Sequence, residues 1–112
     1  MHELGITRNL VAIVADAAQG RRVRKVWLEI GERSALLPEA VRFCFDVVSQ
    51  GTALESAALE IVAVAPGWQC RDCDARFGEQ SHERCPHCAS LRLVRRNGDE
   101  LNIKAMEVES CA

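Results

Sequence analysis

The chain is 112 residues long, 48% hydrophobic, and carries 14 basic against 16 acidic side chains for a net charge of −2. That length suits one modest α/β body with a small appendage, and the acidic balance argues against a domain whose main work is neutralising nucleic-acid phosphates. No apolar run approaches the ~20 residues of a membrane span and the start lacks the basic-then-apolar layout of a signal peptide, so the chain reads as cytoplasmic and soluble, with neither nucleic acid nor membrane as a partner.

From Glu3 to Ala18, Ile6, Leu10, Ile13 and Ala17 recur at helical spacing with Val14 beside them, and Gly20 follows as a stop signal. Val26, Leu28 and Ile30 then alternate with Lys25, Trp27 and Glu29, which predicts a half-buried strand ending at Gly31. A Gly31-Glu32-Arg33-Ser34 turn comes next. Pro38 suits the first turn of a second helix, whose stripe of Val41, Cys44, Phe45 and Val48 is closed by Gly51. Leu59 to Val64 is rich in β-branched residues and bounded by Pro66-Gly67, and reads as a second strand.

Past Cys88, Leu91, Leu93 and Val94 lead to Asn97-Gly98, a strong hairpin-turn signal, and Leu101, Ile103 and Val108 continue beyond it. The alternation slips between Ala105 and Met106, which predicts a bulge there or a bend where the strand leaves the cysteine-rich region to rejoin the main sheet. The fold class is therefore α/β, with two helices on a small, mainly antiparallel sheet. A cysteine-rich segment is inserted rather than appended: residues 1–66 with 100–112 make the body, and residues 67–99 the insert. The exposed edge of such a sheet would allow a homodimer.

Six cysteines are present, four of them in Cys70-x2-Cys73 and Cys85-Pro86-His87-Cys88, separated by eleven residues. The run between holds Phe77 as its only large apolar residue, too little to order it by burial. Four thiolates on paired Cys-x2-Cys turns close a tetrahedral site with no position open for substrate, which points to structural zinc in a zinc-ribbon domain held by four cysteines. Iron in a rubredoxin-like cage shares this spacing; a dithiol redox pair would leave one turn unexplained. His82 and His87 read as neighbours of the site or surface residues. Cys44 reads as a small core residue, and Cys111 as exposed and without a role.

Met1-His2-Glu3 brings together an α-amine, the backbone nitrogen of His2 and its imidazole, which can chelate one ion through fused rings. Reference pKa values of about 7.7 to 8.0 for the amine and about 6.5 for the imidazole let both lose protons near neutrality when a metal competes. Displacing an amide proton favours Cu(II) or Ni(II) over Zn(II). If amine and imidazole flank the His2 nitrogen in a square plane, the fourth donor must be the Glu3 carboxylate, Glu39 or water.

Together, Met1-His2-Glu3 opening a helix, Gly31-Glu32-Arg33-Ser34 after the first strand, and the two knuckles with Cys85-Pro86-x-Cys88 resemble the HypA/HybF family of hydrogenase maturation factors over the full chain. The resemblance implies a small nickel metallochaperone, not an enzyme, that delivers Ni(2+) for maturation of [NiFe]-hydrogenase and in some organisms urease. It implies nickel bound at Met1, His2 and Glu3, and structural Zn(2+) held by Cys70, Cys73, Cys85 and Cys88. Its implied partners are the nickel-insertion GTPase of the hydrogenase maturation system, the hydrogenase large-subunit precursor and urease accessory proteins. Some family members place an acidic side chain just after the Gly-Glu-Arg-Ser turn; here the stretch reads Ala35-Leu36-Leu37-Pro38-Glu39 and leaves Glu39 as the candidate.

A rival of another class is a zinc-ribbon adaptor that binds nucleic acid or RNA polymerase through Arg92, Arg95 and Arg96. A second basic group lies at Arg21, Arg22, Arg24 and Lys25. Both groups read first as solvated faces, and the adaptor leaves Met1-His2-Glu3 unexplained. No cluster of acid, base and nucleophile supports an enzyme.

Overall fold

The computed structural model describes residues 2–80 and 82–110, with backbone alone at His2. The expectations for Met1, for the His2 imidazole and for Cys111 therefore lie outside the described residues. In chain order the elements are α1 (His2–Ala18), β1 (Val23–Gly31), α2 (Pro38–Val48), β2 (Ala58–Val64), β3 (Gly67–Cys70), β4 (Arg76–Phe77), β5 (Leu93–Arg96) and β6 (Leu101–Val108). They build two three-stranded sheets, ordered β2-β1-β6 and β4-β3-β5. β1 and β2 run parallel across the α2 crossover, whereas β1–β6, β3–β4 and β3–β5 are antiparallel.

Helix α1 has an acidic residue, Glu3, in its first turn, where it complements the helix dipole. It stops where Gln19 and Gly20 turn to positive φ, 52° and 84°. Its buried face is Thr7, Val11, Val14 and Ala18. This corrects the expected stripe, since Ile13 is 58% exposed and Ala17 faces solvent. The two stripes lie one residue apart, a rotation of about 100°, and apolar character alone does not choose between them. Thr7 belongs inside because its hydroxyl is satisfied by the Glu3 carbonyl.

Helix α2 starts with Pro38, whose missing N–H costs nothing in the first turn. It ends at Ser49, which donates both its N–H and its Oγ–H to the Phe45 carbonyl. Val41 and Phe45 are buried as the stripe predicts, while Cys44 and Val48 are half-buried. Val26, Leu28 and Ile30 of β1 meet both helices. One apolar cluster joins Val11, Val14, Val26, Phe45 and Leu54; a second joins Leu28, Ile30 and Val41.

Two sequence expectations about the last strands need correction. Asn97-Gly98 does not close a hairpin: β5 pairs with β3 and β6 pairs with β1, so the turn carries the chain from one sheet to the other. Gly98, at φ 82°, is used instead for close approach, because a Cβ on Gly31 would fall on the Gly98 carbonyl. Arg33 N–H donates to that carbonyl at 2.6 Å and Gly31 N–H to Glu100 at 2.7 Å. The irregularity on β6 lies at Lys104, skipped between the pairs Trp27–Ala105 and Leu28–Ile103, one residue before the expected place. No helix among the described residues is long and apolar enough to cross a membrane.

Candidate metal centre

The two knuckles are built alike. In the first, Cys70 N–H donates to the Ala75 carbonyl and Asp74 N–H to the Cys70 carbonyl; in the second, Cys85 N–H donates to Ser90 and Ala89 N–H to Cys85. Asp74 and Ala89, each four residues after its first cysteine, both sit at positive φ, 62° and 61°. Each turn thus curls its amides around a sulfur. Asp72 N–H points at Cys70 Sγ at 3.4 Å, and His87 and Cys88 N–H point at Cys85 Sγ at 3.3 and 3.4 Å.

The four sulfurs lie within 4.8 Å of one another, with Cys70–Cys88 and Cys73–Cys85 at 3.5 Å. Ligands ~2.3 Å from a tetrahedral ion stand about 3.8 Å apart, so this spacing fits such an ion. Cys70 and Cys85 are buried, Cys73 and Cys88 exposed. Burial pushes the Cys70 thiol up, but the amides of Cys73 and Asp72 and the neighbouring thiols outweigh it and bring it down to about 6. Cys85 is lowered in the same way, its burial outweighed by the amides of Cys88 and His87. For Cys88 the Ser90 amide works downward, but the Cys70 thiol, burial and the other sulfurs prevail and push it up to about 12. Four thiolates this close cannot all ionise unaided; a soft cation removes the conflict, and the donor set fits zinc.

Neither histidine joins the sulfurs. His82 meets Phe77 edge to face at a centroid distance of 4.7 Å, and His87 is exposed. Asp72 braces the two knuckles by accepting from Ser90 Oγ and pairing with Arg92 at 2.9 Å. Arg95 lies over the Trp68 ring at 5.3 Å, and Arg96 donates to the Ala65 carbonyl at 3.0 Å. The three arginines of the adaptor reading are thus engaged within the chain.

Where the two helices start, the Glu3 carboxylate accepts the Leu37 N–H at 3.4 Å. Its own amide and that of Leu37 hold it below the usual carboxylate range. The contact joins the starts of α1 and α2, which brings Glu39, exposed in the first turn of α2, to the same end as Glu3. Sequence reasoning missed one pair altogether: Glu29 reads as a solvent-facing member of an alternating strand, yet it is buried against Arg76 at 2.8 Å. A lone acid on a short strand carries no signal of such a partner.

A family model described as hydrogenase/urease nickel incorporation, metallochaperone, hypA matches residues 1–108. The chain is 52% identical over 110 residues to a hydrogenase maturation factor HypA of Trichodesmium erythraeum, and 50% identical over 109 residues to that of Trichormus variabilis. In both cases 97% of this chain and 96% of the relative are covered. The fold is similar to the solution structure of a HypA protein, with TM-score 0.67 and 25% identity over 97% of each chain. It is also similar to the solution structure of the Ni metallochaperone HypA from Helicobacter pylori, with TM-score 0.65 and 23% identity over 95% of this chain and 96% of that one.

Proposed function

The chain belongs to the HypA family of hydrogenase and urease nickel-incorporation proteins, and from that premise we propose how its residues divide the work of a nickel metallochaperone in hydrogenase maturation. Nickel is cargo. It is taken at the chain start by the Met1 amine, the His2 backbone nitrogen and the His2 imidazole, with Glu3 beside them, in a nitrogen-rich set that suits Ni(II). Cys70, Cys73, Cys85 and Cys88 hold a resident zinc, which supplies a cross-link and leaves no open coordination position.

The work divides accordingly between residues 1–66 with 100–112, which carry nickel, and residues 67–99, which carry zinc. The observation that supports this reading best is the family match over residues 1–108, which takes in both donor sets. A chelate at a chain end gives up its ion by ligand exchange, so delivery requires no catalytic group. The receiving partners are the nickel-insertion GTPase and the hydrogenase large-subunit precursor, with urease accessory proteins as a second outlet, all in the cytoplasm.

Calorimetric nickel titration of the untagged protein, beside His2→Ala and an N-terminally acetylated sample, tests the chelate. Uptake disappears in both altered samples and weakens in the wild type from about pH 7.5 to about pH 6, as amine and imidazole regain protons. Unchanged uptake after acetylation would refute it.

A further inference from the structure

Alternation along β1 sends Val26, Leu28 and Ile30 to the helices, and Trp27, Glu29 and Gly31 to the opposite face of the sheet. On that face Glu29 is only 4% exposed. A carboxylate so covered needs cations within reach, and its Oε2 has two, drawn from separate parts of the chain. Lys104 Nζ, at 3.4 Å, comes from the irregular position on β6 and is itself 55% exposed. Arg76 Nη1, at 2.8 Å, comes from β4 in the cysteine-rich sheet.

Arg76 has little of its own to hold it in place. It lies three residues past Cys73 on a two-residue strand, with Phe77 as the large apolar neighbour. Its register on β3, Gln69 opposite Arg76, follows from the knuckle, where Cys70 N–H fixes the Ala75 carbonyl immediately before it. Whatever orders the knuckle therefore places the guanidinium.

We propose that Glu29 is a latch through which metal occupancy of the four-cysteine site is felt by the nickel-carrying body: the metal-ordered knuckle delivers Arg76 to Glu29 and covers this carboxylate on the second face of the sheet, and loss of metal withdraws the arginine and uncovers it. The inference rests on the metal reading of the four cysteines and goes beyond it by naming the body residue that responds. Its consequence is asymmetric. Truncating Arg76 in the metal-loaded protein leaves Glu29 covered with one exposed lysine for company, a buried charge without adequate compensation. In the stripped protein the cover leaves with the cation, and the same truncation changes little.

Hydrogen exchange of peptides spanning 23–31 and 101–108 tests this, read in zinc-loaded and chelator-stripped samples whose metal content is measured in parallel. In the wild type, stripping lowers protection of both peptides about tenfold or more. Arg76→Ala binds zinc yet has lost most of that protection while loaded, and stripping lowers it no further. Adding Glu29→Gln to Arg76→Ala restores part of the protection, because the orphaned charge is gone. Loaded Arg76→Ala as well protected as the wild type, or an equal fall in every variant on stripping, overturns the latch. A wild type that holds no metal overturns the metal reading and the latch with it.

Discussion

Single residues decide most where a group is placed against its intrinsic preference. Asp74 and Ala89 accept left-handed backbone that disfavours side chains with a Cβ, because the knuckle geometry aims the neighbouring amides at sulfur. Glu29 shows the same compromise with charge. The Arg76 guanidinium, despite opposing burial, holds its carboxyl below the usual range, helped by Lys104; Arg76 in turn feels Glu29, Glu100 and Asp74. The ionised form is thus favoured on folding, and the sign follows. The stabilisation is present above the unfolded value of about 4.3 and is lost as pH falls through the depressed folded value. Urea midpoints measured from pH 6 to pH 3 fall more steeply for the wild type than for Glu29→Gln, and the two curves converge at the acid end. Parallel curves would show that Glu29 is not ionised in the way its surroundings dictate.

Elements follow from local rules, and their faces from packing. Pro38 at a helix start, Gly20 after a helix end and the alternation of Val26, Leu28 and Ile30 are local signals, and the elements they mark are present. The buried face of α1 is not a local property: Ile6, Leu10 and Ile13 form as good an apolar stripe as Val11, Val14 and Ala18, and the presence of a sheet below and α2 alongside selects the second. Replacement separates them. Val14→Ala removes a 3%-exposed side chain and costs about 1–3 kcal/mol, whereas Ile13→Ala stays within about 0.5 kcal/mol, both read from chemical denaturation with metal bound. The cysteine spacing marked the centre because sulfur ligands announce themselves in sequence. The partners of Asn97-Gly98 did not, because a turn dipeptide specifies backbone angles and not which strands lie on either side.

At the scale of the molecule, the shape records how little core the cysteine-rich sheet contributes. The Cα radius of gyration is 16.3 Å and the extents are 49 × 37 × 16 Å, against about 13 Å for a compact chain of this length. Both apolar clusters lie between the helices and the β2-β1-β6 sheet. The second sheet carries Cys70, Trp68 and Phe77 on its strands and is fastened to the first by a few contacts: Arg33–Glu79, Arg76–Glu29, Arg96 to Ala65, and the Gly31–Gly98 approach. A body with its own core and an insert without one should respond differently to losing metal. Small-angle scattering on chelator-treated protein shows the radius of gyration rising above its metal-loaded value as the insert expands, while far-ultraviolet circular dichroism keeps the signal of α1 and α2. Collapse of the helical signal together with the expansion would mean that the body cannot stand without the insert. An unchanged radius would mean that the knuckles are ordered by contacts other than metal, such as the Asp72 bridge to Ser90 and Arg92.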